Sequence, residues 1–152
     1  MLNEVFSGFD ELVRKHGVEK IKTIGDAYMA VGGVPEPRPD HARAIADLAL
    51  DMRDTINSFG PTGLPVDFRI GISSGPAVAG VIGTHKFAYD LWGDTVNTAA
   101  RMESHGIPGE IQISHSTYDQ LQNSRRTQER GFVDVKGKGS TRTWLLVGTL
   151  DP

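Results

Sequence analysis

The apolar period of this chain switches from helical to strand-like and back within its first half, and that alternation limits the folds open to it. Leu2, Val5, Phe6, Phe9, Leu12 and Val13 recur at the spacing of one helical face over residues 2–15. Gly17 ends that run. Ile21, Thr23 and Ile24, then Tyr28, Met29 and Val31, favour extended backbone. Gly25-Asp26 between them is a turn pair, so residues 18–32 are expected to form a hairpin. Asp40 stands as an N-cap, and Ala42, Ile45, Leu48, Ala49, Met52, Ile56 and Phe59 predict a second amphipathic helix over roughly 41–58. A chain that opens helix, hairpin, helix is neither a plain bundle nor an all-β sandwich.

The second half continues the alternation. Gly60-Pro61-Thr62-Gly63 breaks the helix, and Val66, Phe68, Ile70 and Ile72 alternate with polar or small residues, as in a half-buried strand. Ser73-Ser74-Gly75 turns the chain into a second strand holding Val78, Val81 and Ile82. Residues 83–93 mix polar and aromatic side chains and read as a loop that grips something. A helix over 94–104 is expected to point Val96, Ala99, Ala100 and Met102 inward, with Gly106, Pro108 and Gly109 stopping it. Residues 110–114 read as a short strand, Ser116 as the cap of a short helix reaching Gln122, and Asn123 to Arg130 as polar, exposed chain. Phe132–Val135 and Thr143–Val147 predict a final antiparallel pair joined by Lys136-Gly-Lys-Gly139. The order αββαββαβαββ argues for an α+β fold, an α/β sandwich of the ferredoxin-like kind.

Composition narrows the function. At 152 residues the chain fits a single domain, 1–152, with a real core. The absence of cysteine excludes disulfides and thiolate metal sites. A net charge of −3 gives no reason to expect nucleic acid or an anionic membrane as partner. No apolar run approaches the ~20 residues of a membrane span, so no membrane contact from this segment and a cytoplasmic location are expected, with a membrane-anchored parent chain as the alternative. The histidines lack a His-x-x-x-His spacing, and Ser73-Ser74-Gly75 lacks the hydrolase Gly-x-Ser-x-Gly pattern.

Four polar features are candidates for chemistry, with a plain turn at Gly25-Asp26, a solvated helix face at Asn97 and Arg101 and a hairpin tip with surface lysines at Lys136 and Lys138 as the structural alternatives. Asp26 places one carboxylate at the hairpin tip, which suits a hard cation such as Mg²⁺, and Lys22 lies four residues before it. Asn97 and Arg101 share one helix face at i and i+4, and the guanidinium fork matches phosphate oxygens. Asp90, among Tyr89, Leu91 and Trp92, suits an exocyclic amine or an amide, or else the dipole of the next helix. Lys136 and Lys138 sit on a Gly-rich turn that has no Walker spacing.

Taken together, Val18–Val31 with its Lys-Thr-Ile-Gly-Asp core, Phe68-Arg-Ile-Gly-Ile72, Gly80-Val-Ile-Gly83, Tyr89–Glu103 and Val135-Lys-Gly-Lys-Gly139 resemble the class III nucleotidyl cyclase catalytic domain, in its order and at its spacing. The likeness runs from residue 2 to about 148 and is strongest toward bacterial homodimeric adenylate cyclases. It implies that ATP is cyclised to 3′,5′-cAMP and pyrophosphate with two Mg²⁺ or Mn²⁺ ions, in a homodimer whose sites lie at the interface. It assigns Asp26 to the metal, Lys22 and Asp90 to the adenine edge, Asn97 to the ribose, Arg101 to the transition-state phosphate and Lys136 to the terminal phosphates. Guanylate-selective relatives resemble this pattern with Glu for the lysine and a small polar residue for the aspartate, so ATP is the expected substrate. The family also has a strand upstream of the first helix bearing the other metal carboxylate. Nothing between Met1 and Asp10 matches it, and the chain is expected to be an N-terminally truncated domain lacking that first strand. The alternatives are a non-catalytic ATP-binding or dimerisation module of the same fold and, disfavoured by Lys22 and Asp90, a guanylate cyclase.

Overall fold

The computed structural model describes residues 2–34, 36–58, 68–76, 78–82, 88–135 and 139–150. The elements in chain order are α1 (Leu2–His16), β1 (Glu19–Ile24), β2 (Ala27–Val31), α2 (His41–Ser58), β3 (Ile70–Ile72), β4 (Val78–Ile82), β5 (Ala88–Trp92), α3 (Asp94–Ser104), β6 (Ile111–Ser114), α4 (His115–Leu121), β7 (Arg125–Val135) and β8 (Gly139–Thr149). They fall into two compact units, Met1–Pro65 with Ala77–Gly93 and Val66–Pro76 with Asp94–Pro152. The mixed α+β class expected from the alternating periods is the class observed.

In the first unit α1 buries Val5, Phe9 and Val13, the face its sequence period marks. It packs on α2 and on β1. The rings of Phe6 and Phe9 meet Tyr28 of β2 edge-on, at 5.3 and 5.4 Å. The Tyr28 hydroxyl donates to the Asp10 carboxylate at 2.6 Å. Lys20 reaches the same carboxylate at 3.2 Å and lies over the Tyr28 ring. The Tyr28 bond and Lys20 hold the Asp10 carboxyl below its usual range, while burial and the same bond push the phenol up. At its other end α1 is tied to α2, where His16 and Lys15 contact Asp51 at 2.7 and 3.2 Å. Asp40 starts α2 through its backbone, its carbonyl accepting from the Ala44 N–H at 2.9 Å. Its side chain instead takes the Arg38 guanidinium at 2.7 and 2.9 Å, which lowers its pKa to about 2. Buried positions on α2, namely Ala42, Ala44, Ala46, Leu48, Ala49, Leu50 and Met52, form a broader band than the expected stripe.

The β1–β2 hairpin is antiparallel, with a bulge between Lys20 and Lys22. β4 and β5 form a second antiparallel pair, and β5 contacts β1. The segment 83–93 was expected as loop throughout; residues 88–92 are instead a strand, with Trp92 opposite Val78 and Ala88 opposite Ile82.

The second unit is a four-stranded sheet in the order β3-β6-β8-β7, parallel between β3 and β6 and antiparallel elsewhere. Ile111, Ile113, Leu146 and Trp144 are buried in it. Trp144 stacks on Tyr118 of α4 with ring centroids 4.2 Å apart. Trp144 pairs with Ile113, whereas the neighbouring Gln112 bonds to α3, so the two helices cover opposite faces of the sheet. The polar stretch expected as exposed chain is the first half of β7, which runs from Arg125 and is built on an edge strand carrying charges. Ser114, not Ser116, occupies the N-cap of α4, because β6 passes into the helix without a loop. Ser116 donates to the Ser74 carbonyl at 2.7 Å instead.

Candidate active site

Asp26 sits in the turn between β1 and β2 and is exposed. Lys22, half-buried, lies on β1. In a regular strand Lys20 and Lys22 point to the same face. The bulge removes that relation. Lys20 pairs with Ala30 and Lys22 with Met29, adjacent residues of β2 whose side chains face opposite ways. Lys20 therefore turns toward Asp10 on α1, and Lys22 is carried on the other face of the hairpin together with Ile24, which is 62% exposed.

Asp90 lies in the middle of β5 opposite Gly80. The acidic residue in the first turn of α3 is Asp94, so the dipole alternative for Asp90 does not hold. Because β5 contacts β1, the strands bearing Asp90 and Lys22 adjoin within one unit. Lys136 is outside the described residues.

Asn97 and Arg101 occur one turn apart on α3, within the expected bounds of 94–104. Asn97 is exposed and Arg101 half-buried. Ala100, expected inward, is exposed between them. The inward face is set by Met102, fully buried, and by an unusually close seat on β3. A Cβ on Gly71 would stand 2.2 Å from the Glu103 nitrogen, 2.5 Å from the Ala99 oxygen and 2.7 Å from the Met102 carbonyl carbon. Glycine is thus required at 71 by the approach of helix backbone to strand backbone. Gln112, fully buried on β6, donates to the Met102 carbonyl at 3.1 Å. The Thr95 hydroxyl donates to the Pro76 carbonyl at 2.6 Å at the other end of the helix. Sequence reasoning passed over Gln112, because a polar residue between Ile111 and Ile113 reads as the solvent face of an alternating strand.

Among the described residues no group of three or more His, Asp or Glu side chains is gathered for a metal. A single exposed carboxylate at Asp26 nonetheless fits Mg²⁺, which keeps several waters and commonly binds through one or two carboxylates plus substrate phosphates. Among the described residues no helix is long and apolar enough to cross a membrane.

The family model described as "Adenylate and Guanylate cyclase catalytic domain" matches residues 1–148. An adenylate cyclase of Mycobacterium tuberculosis is 52% identical over 148 residues, 97% of this chain and 33% of the relative. The human guanylate cyclase soluble subunit beta-2 is 47% identical over 154 residues, 99% of this chain and 25% of the relative. The chain thus spans about a third or less of the length of these curated relatives. Among solved structures, the guanylate cyclase domain of RhGC from Catenaria anguillulae in complex with GTP superposes with a TM-score of 0.91 at 43% identity, covering 98% of this chain and 82% of that one. The adenylyl cyclase CyaB from P. aeruginosa gives a TM-score of 0.86 at 27% identity, covering 99% and 81%.

Proposed function

The chain belongs to the adenylate and guanylate cyclase catalytic domain family, and from that premise we propose that it is an adenylate cyclase catalytic domain, residues 1–152 forming one domain that acts as a homodimer. The reaction joins the ribose 3′-oxygen to the α-phosphorus of ATP in line. The bond from that phosphorus to the bridging oxygen breaks, pyrophosphate leaves, the 3′-hydroxyl proton is lost, and 3′,5′-cAMP results.

The choice of base rests on Lys22 and Asp90. The observation that carries it is the contact of β1 with β5, which brings the strands of these two residues side by side. An ammonium donates to adenine N1 and cannot accept the N1–H of guanine. A carboxylate accepts from the adenine 6-amino group and repels the guanine 6-oxygen. The wrong base leaves buried polar groups unpaired, which is a strong form of discrimination. The 52% identity to a mycobacterial adenylate cyclase supports the same choice.

On α3, Asn97 orients the ribose, and Arg101 donates its fork to the non-bridging oxygens as charge builds on them. Lys136 is assigned to the terminal phosphates. Asp26 would hold Mg²⁺ or Mn²⁺, which supplies Lewis-acid stabilisation of phosphate charge when bound. In this reading Asp26 serves the site to which a partner copy brings Lys22, Asp90, Asn97 and Arg101. A cytoplasmic location follows from an ATP substrate and a signalling product.

The test is product identification. The domain joined to a family-type first strand with the other metal carboxylate is incubated with ATP or GTP and Mg²⁺ or Mn²⁺, and cAMP and cGMP are quantified. Metal-dependent cAMP well in excess of cGMP is expected. Predominant cGMP would refute the base assignment, and ATP binding with no product would favour a non-catalytic module.

A further inference from the structure

The C-terminal turn of α3 is held by side chains from outside the helix. A helix end leaves its last carbonyls without intrahelical donors. Here the Arg101 carbonyl accepts from the His105 N–H at 2.9 Å, and the Glu103 carbonyl from the Gly106 N–H at 3.0 Å. The Met102 carbonyl takes the Gln112 side chain at 3.1 Å. Beyond the helix, the His105 carbonyl accepts from Arg130 Nη1 at 2.6 Å, and the Gly106 carbonyl from Arg69 Nε at 3.2 Å.

Arg130 links these bonds. The nitrogen that donates to His105 also donates to Oε1 of Gln112, the amide whose other end holds Met102. Arg130 is moreover the extra residue of a bulge in β7, since Glu129 pairs with Trp144 and Gly131 with Thr143. A bulge forfeits local ladder pairing and re-aims a side chain. Gly131 adopts φ +115, a backbone state that side chains rarely tolerate, and its carbonyl is pinned by the buried Thr143 hydroxyl at 2.9 Å. The strand is thus distorted at a residue that reaches the end of α3.

We propose that Arg130, acting through Gln112, is a positioning residue of the cyclase reaction. It fixes the last turn of α3 on the sheet, and with it the direction of Arg101 and Asn97, without touching substrate. This rests on the reading of α3 as the helix that serves ribose and phosphate.

Two variants test it. Arg130→Met keeps the aliphatic stem and removes the donors. Arg130→Lys retains one nitrogen with several donors, and both bonds start from a single nitrogen. Hydrogen exchange over residues 101–106 and steady-state kinetics are measured on each. In Arg130→Met, exchange in that turn is expected to rise about tenfold. A displacement of about 1 Å lowers kcat on the order of 10- to 100-fold, with KM within about twofold. Arg130→Lys should return both readouts close to wild type. Unchanged exchange in Arg130→Met overturns the clamp. Faster exchange with undiminished kcat overturns the positioning role, and so does a raised KM at constant kcat, which marks a substrate contact. A wild-type domain joined to a family-type first strand with its metal carboxylate that still shows no turnover overturns the cyclase reading itself, and the exchange data then still show whether the clamp exists.

Discussion

Replacing Gly71 by alanine should separate β3 from α3. The added methyl carbon meets three helix-backbone atoms at 2.2, 2.5 and 2.7 Å, where ordinary contact begins at 3.4 Å. None of them is the end of a flexible side chain, so strand and helix must part by roughly an ångström. Overpacking of this kind costs about 1–3 kcal/mol, which for a chain of this size lowers Tm by roughly 2–12 °C. The same movement carries Asn97 and Arg101 away from their positions, and misplacement by about 1 Å lowers kcat on the order of 100-fold. Calorimetry and initial-rate measurements check the two effects. Gly8→Ala is the internal control. Gly8 lies inside α1, and a methyl there meets only the Thr55 methyl at an ordinary 3.7 Å. That change should raise stability by about 0.5–1 kcal/mol, through helix propensity, and leave kcat alone. A Gly71→Ala protein with wild-type Tm and kcat would refute the argument that backbone contact at β3 sets the position of α3.

Tyr28→Phe should cost about 1 kcal/mol at pH 7, below the range for a bond to a charged group because Asp10 is 37% exposed. The Asp10 carboxyl is held below 3.8, so its contribution is present above that pH and lost as pH falls through the folded value. The Tyr28 phenol is raised above 10, so its contribution is present below that pH and lost only as pH rises through the folded value. The wild-type advantage in urea unfolding is therefore flat across neutral pH and shrinks below pH 3.8; an advantage that grew in acid would contradict the assignment. Asp26→Asn should leave Tm unchanged and reduce Mg²⁺- or Mn²⁺-supported turnover by roughly 100-fold or more, read from a metal titration of cAMP formation. Lys22→Glu combined with Asp90→Ser should move preference from ATP toward GTP. Strict ATP selectivity in that double variant would sink the base-reading pair.

The helices and the first hairpin were legible because burial on one face imposes a period, which α1 carries clearly, while α2 buries a broader band and α3 exposes Ala100. Two strands were hidden for the opposite reason. Ala88–Trp92 has aromatic strand formers without alternation, and only its pairing with Val78–Ile82 makes it a strand. Arg125–Arg130 is polar on both faces, as an edge strand that resists further pairing tends to be, and its register comes from β8. Lys22, Asp26, Asp90, Asn97 and Arg101 are proposed as site residues by motif, and the structure adds the elements that carry them. What supports α3 was not legible: Gln112 sits in an apolar-polar alternation that suggests solvent, and the bulge at Arg130 depends on a partner strand far along the chain. Gly71 was visible as part of a motif, but its reason lies in a helix more than twenty residues away.

The bulge in β1 has a consequence for how such a protein can diversify. Lys20 and Lys22 are near neighbours in sequence, yet one belongs to the α1–Tyr28–Asp10 network and the other to the opposite face of the hairpin. Mutational change at Lys22 is thereby insulated from the contacts that seat α1. A lineage can exchange Lys22, the residue proposed to read the base, while the ties of α1 to the hairpin stay as they are. Deleting one residue at the bulge would couple the two again, and every later change of nucleotide preference would then also be a change in folding stability.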